Sequence, residues 1–304
     1  ADVFNPAAIK KDGKIFLLFR AEDNPDAILG GRTSRIGLAS SEDGLNFKIH
    51  PSPVLYPDSG EFLKYDYPGG CEDPRVAVTE EGLYVMAYTA WNQEVARLSI
   101  AFSKDLIHWE KKGPAFARAY EGKFLNTWSK SGSMITRMEG DRQVLTKIDG
   151  KYWMYWGEQF INLAWSENLA DWYPGLEKSG ELKAIVKPRD YKFDSHLTEC
   201  GPPAVVSEEG IVLLYNGKNA EGDAAAKELP QGMYSVGKLV FDPEHPEKVL
   251  SRSDSYVLKP TLAHEITGQY KSGTTFAEGL GYYKSNWFLY YGTADSFVGV
   301  AISK

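Results

Sequence analysis

Asp-Gly-Lys-Ile-Phe-Leu-Leu-Phe-Arg (12–20) is a turn followed by a β-rich run, and the chain returns to that pattern four more times. The later copies are Glu-Gly-Leu-Tyr-Val-Met-Ala-Tyr-Thr (81–89), Asp-Gly-Lys-Tyr-Trp-Met-Tyr-Trp-Gly (149–157), Glu-Gly-Ile-Val-Leu-Leu-Tyr-Asn-Gly (209–217) and Ser-Asn-Trp-Phe-Leu-Tyr-Tyr-Gly (285–292). Each opens with turn chemistry and continues with β-branched or aromatic residues. A second part follows each run: a short strand, a polar turn and, in three copies, an aromatic. It reads Ile-Gly-Leu-Ala-Ser-Ser-Glu-Asp-Gly-Leu-Asn-Phe (36–47), Leu-Ser-Ile-Ala-Phe-Ser-Lys-Asp-Leu-Ile-His-Trp (98–109) and Leu-Ala-Trp-Ser-Glu-Asn-Leu-Ala-Asp-Trp (163–172), with shorter versions at 234–242 and 298–303. Copies are spaced by about 60 to 76 residues.

A period of that length, built from strands with no helical period between them, predicts propeller blades. Five units account for all 304 residues. The expected architecture is therefore all-β, a five-bladed β-propeller forming a single domain over 1–304. A β-sandwich with coincidental internal similarity is the competing architecture. Segments 183–191 and 219–230 read as insertions over one face, and no linker divides the chain.

The net charge of −7 and the absence of a basic run speak against nucleic acid as a partner. No stretch of 18 apolar residues is present, so no membrane-inserted helix is expected. A leader removed ahead of Ala1 would place the protein in the periplasm, and the cytoplasm of a bacterium is the other expectation. Cys71 and Cys200 are expected as two buried free thiols. The five histidines fall at no metal-ligand spacing, and no glycine-rich nucleotide loop or serine-hydrolase elbow is present. Neither a metal nor a cofactor is expected. Aromatic residues make up 13% of the chain, including 8 Trp and 18 Tyr. Such rings serve sugar sites by stacking, and they equally pack a β core.

In a propeller the inner strand ends converge on one channel. Those ends carry Arg20, Glu22 and Asp23 in the first copy, Asn92 in the second and Glu158 in the third. Asn216 and Asn219 follow in the fourth, and Asp295 in the fifth. Acids, amides and an arginine around one space suit a polyhydroxylated ligand, although turn capping explains any one of them. Asp73 stands apart, in Gly-Gly-Cys-Glu-Asp-Pro-Arg (69–75) before an expected strand over 76–78. The glycines permit close backbone approach, Pro74 biases Asp73 away from helix, and Glu72 and Arg75 can tune its carboxyl. A held, partly desolvated carboxyl is what general acid catalysis needs, while a salt-bridged turn is the plainer alternative.

With these residues in place, the chain resembles glycoside hydrolase family 130, which contains inverting mannoside phosphorylases and β-1,2-mannosidases on five-bladed propellers. The matching elements are Phe-Asn-Pro-Ala (4–7), Leu-Phe-Arg (18–20), Glu-Asp-Pro-Arg (72–75), Lys-Ile-Asp-Gly-Lys-Tyr (147–152), Gly-Pro-Pro (201–203) and Tyr-Gly-Thr-Ala-Asp (291–295). The resemblance implies that Asp73 is the catalytic acid, with its proton passing through a sugar hydroxyl. It also implies that Asn5, Arg20 and Asp295 hold the mannose.

Three departures bear on the reaction. The phosphorylases carry an Arg where this chain has Trp156-Gly157-Glu158, a Lys where it has Leu197, and a His where it has Asn216 in Tyr215-Asn216-Gly217. Two carboxylates, Glu158 and Glu199, stand in the same neighbourhoods. Two like unit charges about 4 Å apart repel by about 4 kcal/mol at an effective dielectric of about 20. Carboxylates there disfavour phosphate and can activate water instead. An inverting hydrolase needs such a base roughly 6.5–9.5 Å from the acid.

The pair of glutamates resembles the family's β-1,2-mannosidase branch, and that resemblance implies an inverting exo-acting β-1,2-mannosidase acting on a mannose-containing oligosaccharide with water as nucleophile. Asp73, Glu158 and Glu199 are its catalytic residues, with either glutamate open as the base. Asn5, Arg20, Asn216 and Asp295 bind substrate, and Trp128, Trp156 and Tyr155 are candidates for stacking. The alternatives are a β-mannoside phosphorylase, charged through Lys130, Arg137 or Lys218, and a non-catalytic glycan-binding propeller.

Overall fold

The computed structural model describes residues 2–22 and 32–303, so Asp23 lies outside the described residues. The chain is nearly all β, arranged as five successive antiparallel meanders. The first is β1 (Asp2–Lys11), β2 (Lys14–Glu22), β3 (Arg35–Ser41) and β4 (Lys48–Ile49). The second is β5 (Gly70–Val78), β6 (Tyr84–Trp91), β7 (Ala96–Ser103) and β8 (Trp109–Pro114). The third contains β9 (Ser133–Glu139), β10 (Arg142–Leu145), β11 (Lys147–Ile148), β12 (Lys151–Trp156), β13 (Ile161–Ser166), β14 (Tyr173–Pro174) and β15 (Ala184–Val186). In the fourth, β16 (Leu197–Cys200) and β17 (Ala204–Ser207) both pair with β18 (Gly210–Lys218), followed by β19 (Tyr234–Phe241) and β20 (Val249–Arg252). The fifth is β21 (Phe276–Tyr283), β22 (Asn286–Thr293) and β23 (Phe297–Ile302).

The repeat in the sequence is a repeat of turn geometry. Three of the hairpins leading into the β-rich runs are two-residue turns with both residues left-handed: Asp12-Gly13 (φ 49 and 73), Asp149-Gly150 (51 and 73) and Lys284-Ser285 (48 and 64). That is the turn whose twist matches a hairpin, and Asp-Gly favours it. The second part repeats as well. Ser41, Ser103 and Ser166 each accept a backbone N–H three residues on. Asp43, Asp105 and Asn168 each accept two more. Gly44, Leu106 and Leu169 occupy the same left-handed position (φ 80, 74 and 66). The closing Trp109 and Trp172 then bond back to the carbonyls of Leu106 and Leu169, both at 2.9 Å.

The runs read from sequence are the second strands of the meanders. The first strands, β1, β5, β9, β16 with β17, and β21, are the ones that meet one another. β1 packs against β5 and β21, and β9 pairs in parallel with β17. β5 is buried at every position and starts at Gly70, six residues before the expected strand.

Four apolar clusters seal the seams between the first and second, second and third, third and fourth, and fifth and first meanders. Among the described residues the seam between the fourth and fifth is held differently. An apolar groove of about 550 Å³ lined by Val205, Leu214, Leu280 and Trp287 runs along it. Asn216 crosses it instead: its Nδ2 donates to Ala277 O at 3.1 Å, and its Oδ1 accepts from Ala277 N at 2.7 Å. The expectation of Asn216 as a substrate ligand is thereby corrected. Its amide is fully buried and spent on backbone. Asn216→Ala would orphan a buried N–H and a buried C=O and should lower stability by about 2–4 kcal/mol in urea denaturation. A variant as stable as wild type would remove this seam role.

Candidate active site

A cavity of about 300 Å³ opens where one end of all five meanders converges. First strands, or the residues just before them, supply Asn5, Glu72, Asp73, Lys130, Glu199, Thr274 and Phe276. The ends of second strands supply Arg20, Trp91, Glu158 and Asp295, and Tyr234 and Tyr270 close the wall.

Asp73 sits in a β-bulge, where the pairing of β5 with β6 shifts register between Glu72 and Arg75. Its φ is 48, so the residue ahead of Pro74 is left-handed and not extended. A bulge re-aims a side chain, and a non-glycine residue held there costs about 1–3 kcal/mol. Asn5 shows the same combination, with a bulge between Phe4 and Pro6 and a φ of 50, and Asp295 has a φ of 52. Three strained residues thus face one space.

Arg75 holds the bulge from below. Its guanidinium is fully buried and donates to the carbonyls of Asp73 (2.9 Å), Cys200 (2.9 Å) and Gly201 (3.3 Å). It also pairs with the buried Glu278 at 2.9 Å.

Above that floor, Asp73 Oδ1 accepts from Asn5 Nδ2 at 3.0 Å and from Arg20 at 3.4 Å. The amide oxygen of Asn5 has no hydrogen-bond partner among the described residues and faces Gly292, where an added Cβ would come within 2.0 Å of it. Arg20 is also shared by Glu22 (2.7 Å) and Glu72 (2.8 Å). Lys130 Nζ stands 3.9 Å from Asp73 Oδ2 and 3.7 Å from Glu158 Oε1. The sum of these legs caps the separation of these two oxygens at about 7.6 Å. Glu158 Oε2 accepts from Trp128 Nε1 at 2.7 Å, and Glu199 accepts from the Ser131 hydroxyl.

Five carboxyls line this cavity against two cations, Arg20 and Lys130. Burial pushes Glu199 up to about 7, although Lys130 opposes it. Burial likewise raises Asp295 to about 6 against Arg20. Asp73 and Glu72 are buried side by side. For Asp73 burial is outweighed by Arg20, Lys130 and Arg75, and its carboxyl falls below the usual range. For Glu72 burial prevails over Arg20, and the Asp73 charge raises it further. Their protons therefore come off in steps that belong to the pair. Lys130 is pushed up despite its burial by Glu158, Glu199, Asp73 and Glu72, so it is a cation.

Of the residues expected from sequence, Asn5, Arg20, Asp73, Glu158, Glu199 and Asp295 come together in this cavity. Asn216 does not, for the reason given above. Asn219 ties down its own loop through the carbonyls of Ala226, Leu229 and Pro230. Asn92 caps an exposed turn, and Glu22 is buried behind Arg20. Trp128 lines the mouth edge-on to Trp91, with ring centroids 5.5 Å apart, and is 51% exposed. Trp156 and Tyr155 are core residues packed on Phe116 and Phe241, which corrects their place as stacking candidates. Arg137 pairs with Glu80 and lies off the cavity, while Lys218 stands behind the rings of Tyr234 and Tyr270. Sequence reasoning named Glu72 only as a group that tunes Asp73, and missed Trp91, Tyr234, Tyr270 and Thr274. Glu72 and Thr274 stand on or just before a first strand, Trp91 ends a second, Tyr234 starts a third, and Tyr270 lies in the loop ahead of β21. Cys71 and Cys200 are buried free thiols, as expected.

A cavity of carboxyls, an amide, cations and rings at the converging ends of β meanders is a site for a polyhydroxylated ligand. The chain belongs to glycoside hydrolase family 130, whose model, described as β-1,4-mannooligosaccharide phosphorylase, matches residues 1–304. A 1,2-β-oligomannan phosphorylase of Thermoanaerobacter sp. (strain X514) is 32% identical over 99% of this chain and 90% of its own length. A solved structure is described under the statement that the GH130 family of mannoside phosphorylases contains glycoside hydrolases that target β-1,2 mannosidic linkages in Candida mannan. It is 51% identical with a TM-score of 0.98, covering 100% of this chain and 84% of that one. A glycosyl hydrolase structure from Bacteroides ovatus is 49% identical with a TM-score of 0.97, again over 100% of this chain and 84% of the other.

The raised carboxyls carry a stability consequence. A carboxyl whose folded pKa is raised binds its proton more tightly folded than unfolded. Its contribution is most favourable below the unfolded value and is lost as pH rises through the folded one. Glu199→Gln should therefore raise the melting temperature, by a margin that grows from about pH 4 to 7 and then levels off. A margin independent of pH would show that Glu199 is not buried as described.

Proposed function

We propose that the chain is a five-bladed β-propeller forming one catalytic domain over 1–304, and that it is an inverting exo-acting β-1,2-mannosidase. The propeller reading is supported by five meanders, each packed on the next and the fifth on the first. The single observation that carries the hydrolytic reading is that Glu158 and Glu199 line the same cavity as Asp73.

In this reading Asn5, Arg20 and Asp295 orient the terminal mannose of an oligosaccharide. Water attacks the anomeric carbon and loses a proton to a glutamate. The bond to the leaving oxygen breaks, and that oxygen takes a proton from Asp73 through a sugar hydroxyl. The Glu72–Asp73 pair supplies the proton, and both carboxyls reset through solvent. The excess of acids over cations disfavours a phosphate nucleophile. The linkage rests on the relatives described above.

One observation favours a second reading, phosphorolysis: Lys130 is a buried cation between the carboxylates, and a curated relative is a phosphorylase. Against it, the charge of Lys130 is already engaged by Asp73 and Glu158.

In phosphate-free buffer the wild-type protein should release α-mannose from β-1,2-mannobiose, followed by proton NMR of the first product. Product formed only with phosphate, as mannose 1-phosphate, would establish the second reading, and no turnover either way would leave a glycan-binding protein. Asp73→Asn should lower kcat by about 10²–10⁴-fold.

A further inference from the structure

Four consecutive residues, Trp128 to Ser131, touch all three carboxylates of the proposed reaction. Trp128 donates to Glu158 Oε2, Lys130 stands between Glu158 Oε1 and Asp73 Oδ2, and the Ser131 hydroxyl donates to Glu199 Oε1. The segment is itself fixed. Ser129 N donates to Ala96 O at 2.9 Å, Ser129 Oγ accepts from Leu98 N at 3.0 Å, and Lys130 O accepts from Gly157 N at 2.9 Å. Ser131 turns the chain at φ 58.

The two glutamates it holds are not equivalent. Glu158 is 32% exposed at the mouth, with one oxygen on an N–H and the other beside an ammonium. Both of its oxygens are thus already engaged by the protein. Glu199 is 2% exposed. Only its Oε1 has a hydrogen-bond partner among the described residues, and the residue lines the cavity.

We propose that Glu199 is the base, and that the Trp128–Ser131 segment assigns the roles by holding Glu158 through both of its oxygens so that it orients the water. The assignment rests on the hydrolytic reading. The water proton passes to Glu199 Oε2 as the oxygen–carbon bond forms, the glycosidic bond breaks, and its oxygen is protonated from Asp73. Ser131 is a positioning residue. Lys130, Glu158, Arg75, Tyr234 and Glu278 are the other charged or titratable groups that face Glu199. Burial places its pKa at about 7, so it serves as a base on the alkaline side of that value.

The test uses 4-nitrophenyl β-mannoside, whose leaving group needs little protonation, in phosphate-free buffer. Wild-type turnover is measured first, so that failure of the hydrolytic reading is separated from failure of this assignment. Glu199→Ala should lose about 10²-fold or more in kcat. Added sodium azide should restore it at least about 10-fold with α-mannosyl azide as product, since azide needs no base. Glu158→Ala should not be rescued. Rescue of Glu158→Ala, or of neither variant, overturns the assignment. Ser131→Ala should move the ascending limb of the kcat/KM profile up by about one pH unit, because it removes a hydrogen bond to the charged form. Trp128→Phe should lower kcat and leave that limb in place. An unshifted limb in Ser131→Ala overturns the role of the segment.

Discussion

The buried guanidinium of Arg75 is the constraint on which the cavity depends. It joins the carbonyl of Asp73 on β5 to those of Cys200 and Gly201 at the end of β16, and it pairs with Glu278 on β21. Three first strands from three meanders are thus fixed to one planar cation. Asp73 and Glu199 are placed by it together, because Glu199 is the neighbour of Cys200 in the same strand. A fully buried ion pair contributes little net stability, since desolvation offsets the attraction. What it fixes here is geometry, and its charge acts through space on both carboxyls it positions.

Above Arg75 the site is built from conflicts. Asn5, Asp73 and Asp295 hold left-handed backbone, and acids outnumber cations on the wall. Each feature lowers stability, and each is what a saccharide needs to find. Hydroxyl groups are neutral and both donate and accept, so they can pair with this wall of acids, amide and cations without adding charge. The bulges matter for the same reason. A regular β1 or β5 would alternate these side chains with the core, whereas the bulge turns Asn5 and Asp73 to a common focus.

What was legible in the sequence was local. The Asp-Gly hairpins and the Ser-x-Asp turns specify their own geometry within a few residues, so the five-fold repeat of the second and third strands could be read directly. The first strands carry no such signature. β5 is buried throughout and contains two acids, an arginine and a proline, so neither alternation nor β-propensity marks it. Asn216 shows the limit most clearly. It ends a second strand as Arg20 does, yet its partner is Ala277, 61 residues away, and a seam bond cannot be told from a ligand bond by position. Tyr155 and Trp156 failed likewise, because a ring in a strand does not declare which face it covers. Only the family motifs pointed to Asn5, whereas Asp73 and Asp295 were also marked by their local setting and strand-end position; the left-handed backbone of all three is described by no propensity.

Lys130 changes the electrostatic case against phosphate. From sequence the site had lost its cations and gained two acids. In the structure a lysine occupies the space between those acids, so the wall is not simply repulsive. The decisive quantity is how much of its charge is available. With Glu158 at 3.7 Å and Asp73 at 3.9 Å, and with Glu199 and Glu72 adding to the same field, Lys130 is more than neutralised by its surroundings. A phosphate arriving there would have to displace a carboxylate from Lys130 and leave that carboxylate buried without its cation. Water does neither, because it can donate to Glu199 while Lys130 keeps both partners. The lysine is better understood as the counterion that allows so many acids to surround one sugar ring.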